Sequence, residues 1–288
     1  TATGETSIAI GGASYASGRT GVAIGAGTLA AGDSALALGN TSWAAGDQSV
    51  AAGAGAYGQA AETVAIGKAA FAIGTGSIAV GSLAGVGSNT ATNASNISIG
   101  NAAGQTVTGS YNVALGYQSG QTVSGLANTA TGYQSGQTVS GSYNIANGYT
   151  AGQIVSGNAN SAYGYSAGQT VSGFGNNATG WDSGRNVTGN GNNASGWDSG
   201  RQILGNGNSA FGYGAGRSIT GNGNTATGRD SGVNVSGDGN NASGWDSGTS
   251  VTGSGNSAFG YAAGRSITGG GNTSVGWNSG RNINGNYN

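Results

Sequence analysis

Residues 192–205 read Asn-Asn-Ala-Ser-Gly-Trp-Asp-Ser-Gly-Arg-Gln-Ile-Leu-Gly, and this pattern indicates the architecture of the chain. Its three glycines divide it into segments that are too short for a helix of ordinary length but long enough for short strands. Asn206-Gly207 follows at once, and Asn-Gly is a strong signal for a tight turn. The stretch therefore predicts one coil of a β-solenoid, in which two short strands are joined by tight turns.

The glycines recur at fixed steps along the whole chain. A 14-residue step relates Gly11, Gly25, Gly39, Gly53, Gly67 and Gly81. A 16-residue step relates Gly100, Gly116, Gly132, Gly148, Gly164, Gly180, Gly196, Gly212, Gly228, Gly244, Gly260 and Gly276. Coils this small cannot fold alone and bury a continuous core only by stacking. The 18 positions therefore predict an all-β parallel β-solenoid of about 18 coils.

The change of step predicts three parts of one continuous solenoid. Residues 1–81 form a roll with 14-residue repeats, and residues 100–288 form a roll with 16-residue repeats. Residues 82–99 hold an insertion where the register changes. The polar stretch 82–96 within it is either a register adjustment or an exposed receptor loop.

Three columns of identical or similar residues in the later coils are expected to be structural. They include Asn176, Asn192 and Asn208, then Ala178 and Ala194, and then Val187 and Ile203. Stacked amides can hydrogen-bond from coil to coil. Alanine opposite valine or isoleucine fits two strands in close approach and therefore a thin coil. For the Asn column, ligand binding is the alternative.

The first strands of the early coils are apolar on both faces. In Ile8-Ala9-Ile10 the side chains alternate between the two faces of a strand, and residues 36–38 and 64–66 repeat the pattern. A thin coil can bury only one of these faces, and soluble proteins avoid extended exposed apolar patches. This pattern predicts obligate self-association, and a threefold rod suits identical stripes that meet on an axis. A monomeric solenoid with a wider triangular core is the alternative, and either stripe could face inward.

The composition excludes most catalytic chemistry. The chain has no Cys and no His, and Asp and Glu together number 9. It therefore lacks thiolate nucleophiles and the commonest general base and metal ligand, and the paired carboxylates of glycosidases are not evident. The net charge of −1 leaves no basic surface for nucleic acid. We predict no enzyme activity, no cofactor, no metal and no nucleic-acid partner.

An aromatic residue follows the defining glycine of most later coils. This column comprises Tyr117, Tyr133, Tyr149, Tyr165, Trp181, Trp197, Tyr213, Trp245, Tyr261 and Trp277. Stacked rings stabilise neighbouring coils, but Trp, Tyr and Arg also dominate binding hot spots, so both roles stay open. The candidate ligand-binding residues are Trp181, Asp182, Arg185, Trp197, Asp198, Arg201, Trp245, Trp277 and Arg281. For Asp182 and Asp198, as for Asp230 and Asp246, decoration of a turn is the alternative.

Short apolar motifs in the first hundred residues resemble a known family. Residues 7–11 read Ser-Ile-Ala-Ile-Gly, residues 63–67 read Thr-Val-Ala-Ile-Gly, and residues 77–81 read Ser-Ile-Ala-Val-Gly. They resemble the head repeat of YadA-type trimeric autotransporter adhesins, which are haemagglutinin-like. The resemblance is close over residues 7–100 and looser to the C-terminus. It implies a homotrimer of left-handed parallel β-rolls on a bacterial cell surface or outer membrane.

The same resemblance implies a function and partners. The partners would be host matrix proteins, glycans or cell-surface receptors, bound by many weak contacts that act through avidity. The sequence shows no signal peptide, neck motif, heptad stalk or membrane anchor, so we expect an excised head that makes no membrane contact of its own. The alternative function is a phage tail fibre or a polysaccharide-binding or polysaccharide-degrading β-solenoid. A degrading solenoid should show a carboxylate cluster in a groove.

Overall fold

The computed structural model describes residues 1–85 and 93–288. Over these residues the protein is an all-β parallel β-solenoid of about 17 turns without a helix, close to the 18 coils that the glycine spacing predicts. Within the same ranges there is consequently no helix with the length and apolar character needed to cross a membrane. The chain divides into two compact units, Thr1–Tyr143 and Asn144–Asn288.

The N-terminal unit contains strands of three kinds. Strands with a central alanine in most coils form what we call the alanine sheet: Ile8–Ile10, Val22–Ile24, Leu36–Leu38, Val50–Ala52, Val64–Ile66, Ile78–Val80, Ile97–Ile99, Val113–Leu115 and Thr129–Thr131. Two-residue strands form the corner sheet: Tyr15–Ala16, Leu29–Ala30, Trp43–Ala44, Tyr57–Gly58 and Phe71–Ala72. Strands with a central valine form the valine sheet: Thr106–Thr108, Thr122–Ser124 and Thr138–Ser140.

The C-terminal unit contains alanine-sheet and valine-sheet strands. Its alanine-sheet strands are Ile145–Asn147, Ser161–Tyr163, Asn177–Thr179, Asn193–Ser195, Ser209–Phe211, Thr225–Thr227, Asn241–Ser243, Ser257–Phe259 and Thr273–Val275. Its valine-sheet strands, several of which carry isoleucine in place of the valine, are Ile154–Ser156, Thr170–Ser172, Asn186–Thr188, Gln202–Leu204, Ser218–Thr220, Val235–Ser236, Val251–Thr252, Ile267–Thr268 and Ile283–Asn284.

Parallel pairing in both units follows the sequence repeat. In the N-terminal unit Ala9 pairs with Ala23, one 14-residue step apart. In the C-terminal unit Ala178 pairs with Ala194, one 16-residue step apart. Each template position therefore forms a column, in which every residue is stacked on its equivalents in the neighbouring coils.

The core consists of the columns formed by the central residue of each strand. In the N-terminal unit Ala23, Ala37 and Ala51 have no exposed surface. In the C-terminal unit the core includes the columns of Ala178 and Ala194 and of Val187 and Ile203. Small side chains in one column let two strand layers approach closely, so the interior of each coil is thin.

The larger apolar side chains of the N-terminal unit point away from this core. Ile8 and Ile10 are 48% and 57% exposed, whereas Ala23 in the next coil is fully buried. The structure thus places the alanine stripe inside and leaves the β-branched stripe on the surface. In the C-terminal unit several of the equivalent outward positions are polar, as at Asn177 and Asn193.

Gly196 illustrates why the corners are glycine. Its φ is 134°, a left-handed conformation in which L side chains are strained. A Cβ on Gly196 would stand only 2.3 Å from the carbonyl oxygen of Gly212 in the next coil, well inside van der Waals contact. The corner therefore excludes a side chain for two independent reasons, backbone conformation and close stacking.

Buried asparagines link the coils of the C-terminal unit. The backbone N and the Nδ2 of Asn192 both donate to the Oδ1 of Asn176, each at 3.0 Å. The same Nδ2 donates to the carbonyl oxygen of Gly205 at 2.8 Å. Asn208 repeats the arrangement on Asn192. Each amide therefore satisfies buried backbone groups that the turn leaves without a strand partner.

The predicted insertion is described in part, because residues 86–92 lie outside the described residues. Its C-terminal end joins the asparagine column. The Nδ2 of Asn96 donates to the carbonyl oxygens of Asn93 and Gly109 at 3.1 and 2.9 Å. Its Oδ1 accepts from the backbone N of Asn112 at 2.8 Å. Asn96 thus occupies the first position of the ladder that serves the 16-residue coils.

Candidate binding surface

The aromatic residues that follow the defining glycines of the C-terminal unit form a stacked ladder. Consecutive ring centroids lie 4.9 Å apart from Tyr149 to Tyr165, 4.3 Å from Tyr165 to Trp181 and 5.1 Å from Trp181 to Trp197. The Trp181 and Trp197 rings are inclined by only 7°. The 16-residue step places each ring directly after a tight turn, so the rings superpose in register. Trp181 and Trp197, two of the candidate residues, are both exposed at the surface of this ladder.

Arg229 replaces an aromatic residue within the ladder. The carbon of its guanidinium group lies 5.5 Å from the ring centroid of Tyr213 and 4.5 Å from that of Trp245. A planar cation over aromatic rings is stabilised by the ring quadrupole. The ladder is therefore continued by cation–π contacts at the coil in which the sequence lacks an aromatic residue.

Beyond Arg229 the ladder continues with Trp245, Tyr261 and Trp277. Trp245 and Tyr261 pack edge to face with centroids 5.7 Å apart, and Tyr261 and Trp277 stack at 4.3 Å. Trp277 is the last ring of the column and is 74% exposed. Rings that stack on each other offer their edges, rather than both faces, to a ligand.

The candidate aspartates lie at turn positions. Asp182 and Asp198 have φ values of 51° and 53°, and their backbone N atoms donate to the carbonyl oxygens of Tyr165 and Trp181 at 2.9 and 2.8 Å. Asp tolerates this left-handed conformation better than most residues. Over residues 1–85 and 93–288, no group of three or more His, Cys, Asp and Glu side chains is placed to hold a metal ion.

Ion pairs connect Asp198 and Asp230 to arginines of the same and of neighbouring coils. The Oδ2 of Asp198 lies 3.1 Å from the Nε of Arg217, and its Oδ1 lies 3.7 Å from the Nη1 of Arg201. The Nη2 of Arg217 donates to the Oδ1 of Asp230 at 2.7 Å. Asp230 also lies 3.4 Å from the Nε of Arg229. Arg217, which was not among the predicted residues, is therefore the hub of the charged cluster.

Two of the predicted arginines line an open polar groove of about 630 Å³. The groove is lined by Gln169, Arg185, Asn186, Arg201, Gln202, Arg217, Ser218, Val233 and Asn234. The structure brings Arg185 and Arg201 together here, whereas Trp181 and Trp197 belong to the ladder and do not line the groove. The signal that would have revealed Arg217 and Gln202 is their 16-residue spacing from Arg201 and Asn186.

The last candidate, Arg281, lies in a second groove of the same unit. This groove has a volume of about 340 Å³ and is lined by Thr249, Ser250, Arg265, Ser266, Arg281 and Asn282. The Nη2 of Arg265 forms a 2.6 Å ion pair with the Oδ2 of Asp246. The structure thus distributes the predicted residues over one ladder and two grooves rather than gathering them at one point.

Comparison with protein families accounts for the N-terminal coils. Residues 2–28, 30–56 and 60–84 match the model of the YadA head domain repeat. Over these ranges the chain is similar to YadA head repeats. The match confirms the resemblance predicted from the Ser-Ile-Ala-Ile-Gly motifs. No curated protein matches the chain. YadA heads in general belong to surface-exposed trimeric autotransporter adhesins and are not enzymes.

The coils that match the YadA head repeat carry an aromatic surface that was not predicted from the sequence. The rings of Trp43 and Tyr57 lie 5.0 Å apart, and those of Tyr57 and Phe71 lie 5.7 Å apart. Together with Thr41 and Ala56 they line a shallow, mainly apolar recess of about 380 Å³. These aromatics occupy the corner strands rather than the position after the defining glycine. Their 14-residue spacing is the signal that could have identified them.

Proposed function

We propose that this chain is the head of a bacterial surface adhesin that attaches the cell to host cells or to extracellular matrix. The run of YadA head repeats over residues 2–84 carries this proposal. The surface supports it, because aromatic and arginine side chains are exposed in long regular columns. A solenoid presents the same contact at every coil, so weak individual contacts add through avidity.

The head acts as a homotrimer in this proposal. The exposed β-branched stripe of the alanine sheet supports the assembly, since Ile8, Ile10, Ile24 and Ile66 would leave apolar surface in water on a single chain. Three identical stripes around one axis remove that surface from solvent, and the symmetry closes without leaving an open end. The trimer also triples the number of binding columns on each head.

The partners are host matrix proteins, glycans or cell-surface receptors, reached from the bacterial cell surface. The adhesive surface lies in the C-terminal unit, over residues 181–281. Its proposed contacts are Trp181, Asp182, Arg185, Trp197, Asp198, Arg201, Trp245, Trp277 and Arg281. Exposed tryptophan and arginine side chains are the residue types that dominate binding hot spots, which supports this assignment.

A polysaccharide-degrading solenoid is less well supported. A glycosidase needs one carboxyl group that can donate a proton and a second that acts as base or nucleophile across a cleft. Asp198 and Asp230 both form ion pairs with the guanidinium of Arg217, which lines the larger groove. This arrangement uses the carboxylates as anchors for an arginine rather than leaving them free for catalysis.

Attachment can be measured directly with beads coated with the purified chain. We expect the beads to adhere to matrix-coated surfaces or epithelial cells above the level of beads coated with an unrelated β-solenoid. Replacing Trp181, Trp197 and Arg201 with alanine should reduce adhesion, while the circular dichroism spectrum still shows a folded β-solenoid. Equal adhesion by coated and control beads on every surface would contradict the proposal.

A further inference from the structure

In one surface column the residue type changes from glutamine to arginine partway along the chain. The position four residues after the ladder aromatic holds glutamine at Gln121, Gln137, Gln153 and Gln169, and Gln105 occupies it one coil earlier. It then holds arginine at Arg185, Arg201 and Arg217, and again at Arg265 and Arg281. Because stacked coils repeat about every 4.8 Å, consecutive members of this arginine column place one guanidinium group per coil along a straight line.

A second column of neutral hydrogen-bonding side chains runs beside the arginines. Asn186, Gln202, Ser218 and Asn234 occupy the next position in successive coils and line the same 630 Å³ groove. Amides and hydroxyls both donate and accept hydrogen bonds. The groove thus combines a line of cations with a parallel line of groups suited to sugar hydroxyls.

The cations of the groove are not all neutralised. The Nε of Arg185 donates to the Oε1 of Gln169 at 2.7 Å, and no carboxylate in the described part of the chain forms an ion pair with Arg185. The ion pair of Arg201 with Asp198 is long, at 3.7 Å, and the Arg201 side chain is 47% exposed. Arg217, by contrast, is held by Asp198 and Asp230. Arg185 and Arg201 therefore retain free N–H donors at the groove.

The second groove repeats the same two columns. Arg265 and Arg281 alternate there with Ser250, Ser266 and Asn282. Arg265 is paired with Asp246, whereas Arg281 forms no ion pair with any carboxylate of the described residues. Each groove therefore holds at least one guanidinium group that lacks an internal anion.

We infer that these columns bind a linear acidic polysaccharide, one that carries carboxylate or sulfate groups along its chain. Guanidinium groups recognise such anions through paired N–H donors. The neighbouring amides and hydroxyls match sugar hydroxyls, and the regular coil height suits a polymer whose charges also recur regularly. Nucleic acid fits less well, because no aromatic ring lines either groove and the whole chain has a net charge of −1. The inference rests on the proposed adhesive function and names its ligand class.

The double substitution Arg185→Gln with Arg201→Gln tests this inference. Glutamine stands at the same template position in Gln169, so the coil can accommodate it. The matched control is Arg19→Ala with Lys68→Ala, which removes two positive charges from the N-terminal unit. Alanine already occupies the equivalent positions of other coils, as Ala61 for Arg19 and Ala54 for Lys68. Binding of each protein to immobilised dextran sulfate, polygalacturonate, uncharged dextran, duplex DNA and polyglutamate is measured at several salt concentrations. Thermal unfolding is the check on folding.

We expect the unmodified chain to bind both acidic polymers, to ignore dextran and to lose affinity as salt rises. The double substitution should weaken binding about tenfold or more, and the control should bind like the unmodified chain. Equal binding to dextran, no binding to either acidic polymer, equal loss in both variants, or stronger binding to duplex DNA or polyglutamate would overturn the inference.

The same measurements keep the inference distinct from the proposed function. If coated beads adhere to cells while neither acidic polymer binds, the ligand class is wrong and the adhesive function stands. If the polymers bind but coated beads adhere to no host surface, the adhesive function fails and the polysaccharide site remains.

Discussion

The guanidinium carbon of Arg229 lies 4.5 Å from the centre of the Trp245 ring, and Arg229 takes the place of an aromatic residue in the stacked ladder. The equivalent residues in the two neighbouring coils, Tyr213 and Trp245, are both aromatic. A planar cation can take this place because it stacks on the rings on either side, which a lysine ammonium or a small polar group would do less well. The ladder is thus a continuous column of planar groups, and planarity rather than aromaticity is the property that the column requires.

Arg229→Ala should therefore destabilise the C-terminal unit, and Arg229→Tyr should not. Removing the cation–π contacts should lower the free energy of unfolding by about 1 kcal/mol, whereas a tyrosine restores ring stacking. The ion pair with Asp230 adds little because the Arg229 side chain is 55% exposed. Thermal and denaturant unfolding of the two variants gives the comparison. Identical stability of the alanine and tyrosine variants would show that the column does not stabilise the unit.

Asn192→Leu should destabilise the C-terminal unit more severely. The Oδ1 of Asn192 accepts from the backbone N and the Nδ2 of Asn208, each at 3.0 Å, and both asparagines are buried. Leucine leaves the backbone N–H of Asn208, one N–H of the Asn208 side-chain amide and the Gly205 carbonyl without partners, at about 1–3 kcal/mol for an unsatisfied buried group. We expect a loss of at least about 2 kcal/mol in the free energy of unfolding. Asn193→Ser, one residue along and facing outward as Ser209 does in the next coil, is the matched control and should change stability by less than about 0.5 kcal/mol.

Two glycine substitutions separate close stacking from backbone conformation. At Gly207 φ is 65° and no atom lies within 4 Å of the place that a Cβ would take, so Gly207→Ala should cost only the left-handed conformation, about 1–2 kcal/mol. At Gly196 a Cβ would also meet the Gly212 carbonyl oxygen at 2.3 Å, so Gly196→Ala should cost about 3 kcal/mol or more. Denaturant midpoints measure the difference. Similar losses in the two variants would mean that the coils can separate locally at little cost.

The turn residues Asn206, Asn222 and Asp238, which lie one coil apart from each other, lead to a prediction about charge. The backbone N and the Nδ2 of Asn222 donate to the Oδ1 of Asp238 at 2.7 and 3.2 Å. Asn222→Asp replaces a donor with a second carboxylate beside Asp238 and should lower stability by about 0.5–1 kcal/mol. Asn206→Asp, whose neighbour Asn222 is neutral, should lower it less. Unfolding measured at low and high salt tests the cause, since screening should reduce the difference between the two variants. A difference that does not respond to salt would point to lost hydrogen bonds instead.

The strand positions could be predicted from glycine spacing because each coil repeats the same short pattern. When coils stack, each strand pairs with the equivalent strand of the neighbouring coil. The direction of the side chains could not. Ile8, Ala9 and Ile10 alternate between two apolar faces, and only the distance between strand layers, a tertiary quantity, decides that alanine faces inward. The same distance explains why glycine and alanine dominate the corners and the core.

The binding surface was predictable only in part for a related reason. Arg185 and Arg201 were predicted from their proximity in sequence to Trp181 and Trp197. In the structure the two arginines line a groove, whereas the two tryptophans belong to the ladder. Arg217 was not predicted because its partner Asp198 lies in the preceding coil, 3.1 Å away in space and 19 positions away in sequence. Residues that contact each other between coils are separated in sequence by about one repeat length. The surface of a solenoid is therefore predicted better from residues one repeat apart than from residues adjacent in sequence.

The proposed trimer leads to the last prediction. Ile8→Asn together with Ile10→Ser places at the outward positions of the first coil the residues found at Asn193 and Ser195 of a polar coil. If these stripes meet between chains, the substitution removes about 1.5–3 kcal/mol of apolar burial for each side chain and should convert trimers into smaller species at micromolar concentration. Because both side chains point outward, the circular dichroism spectrum should still show β-structure. Sedimentation velocity measures the assembly, and Asn193→Ser serves as the control that leaves the apolar stripe intact. An unmodified chain that sediments as a monomer, or a variant that stays trimeric at all concentrations, would mean that the β-branched stripe is not the surface through which the chains associate.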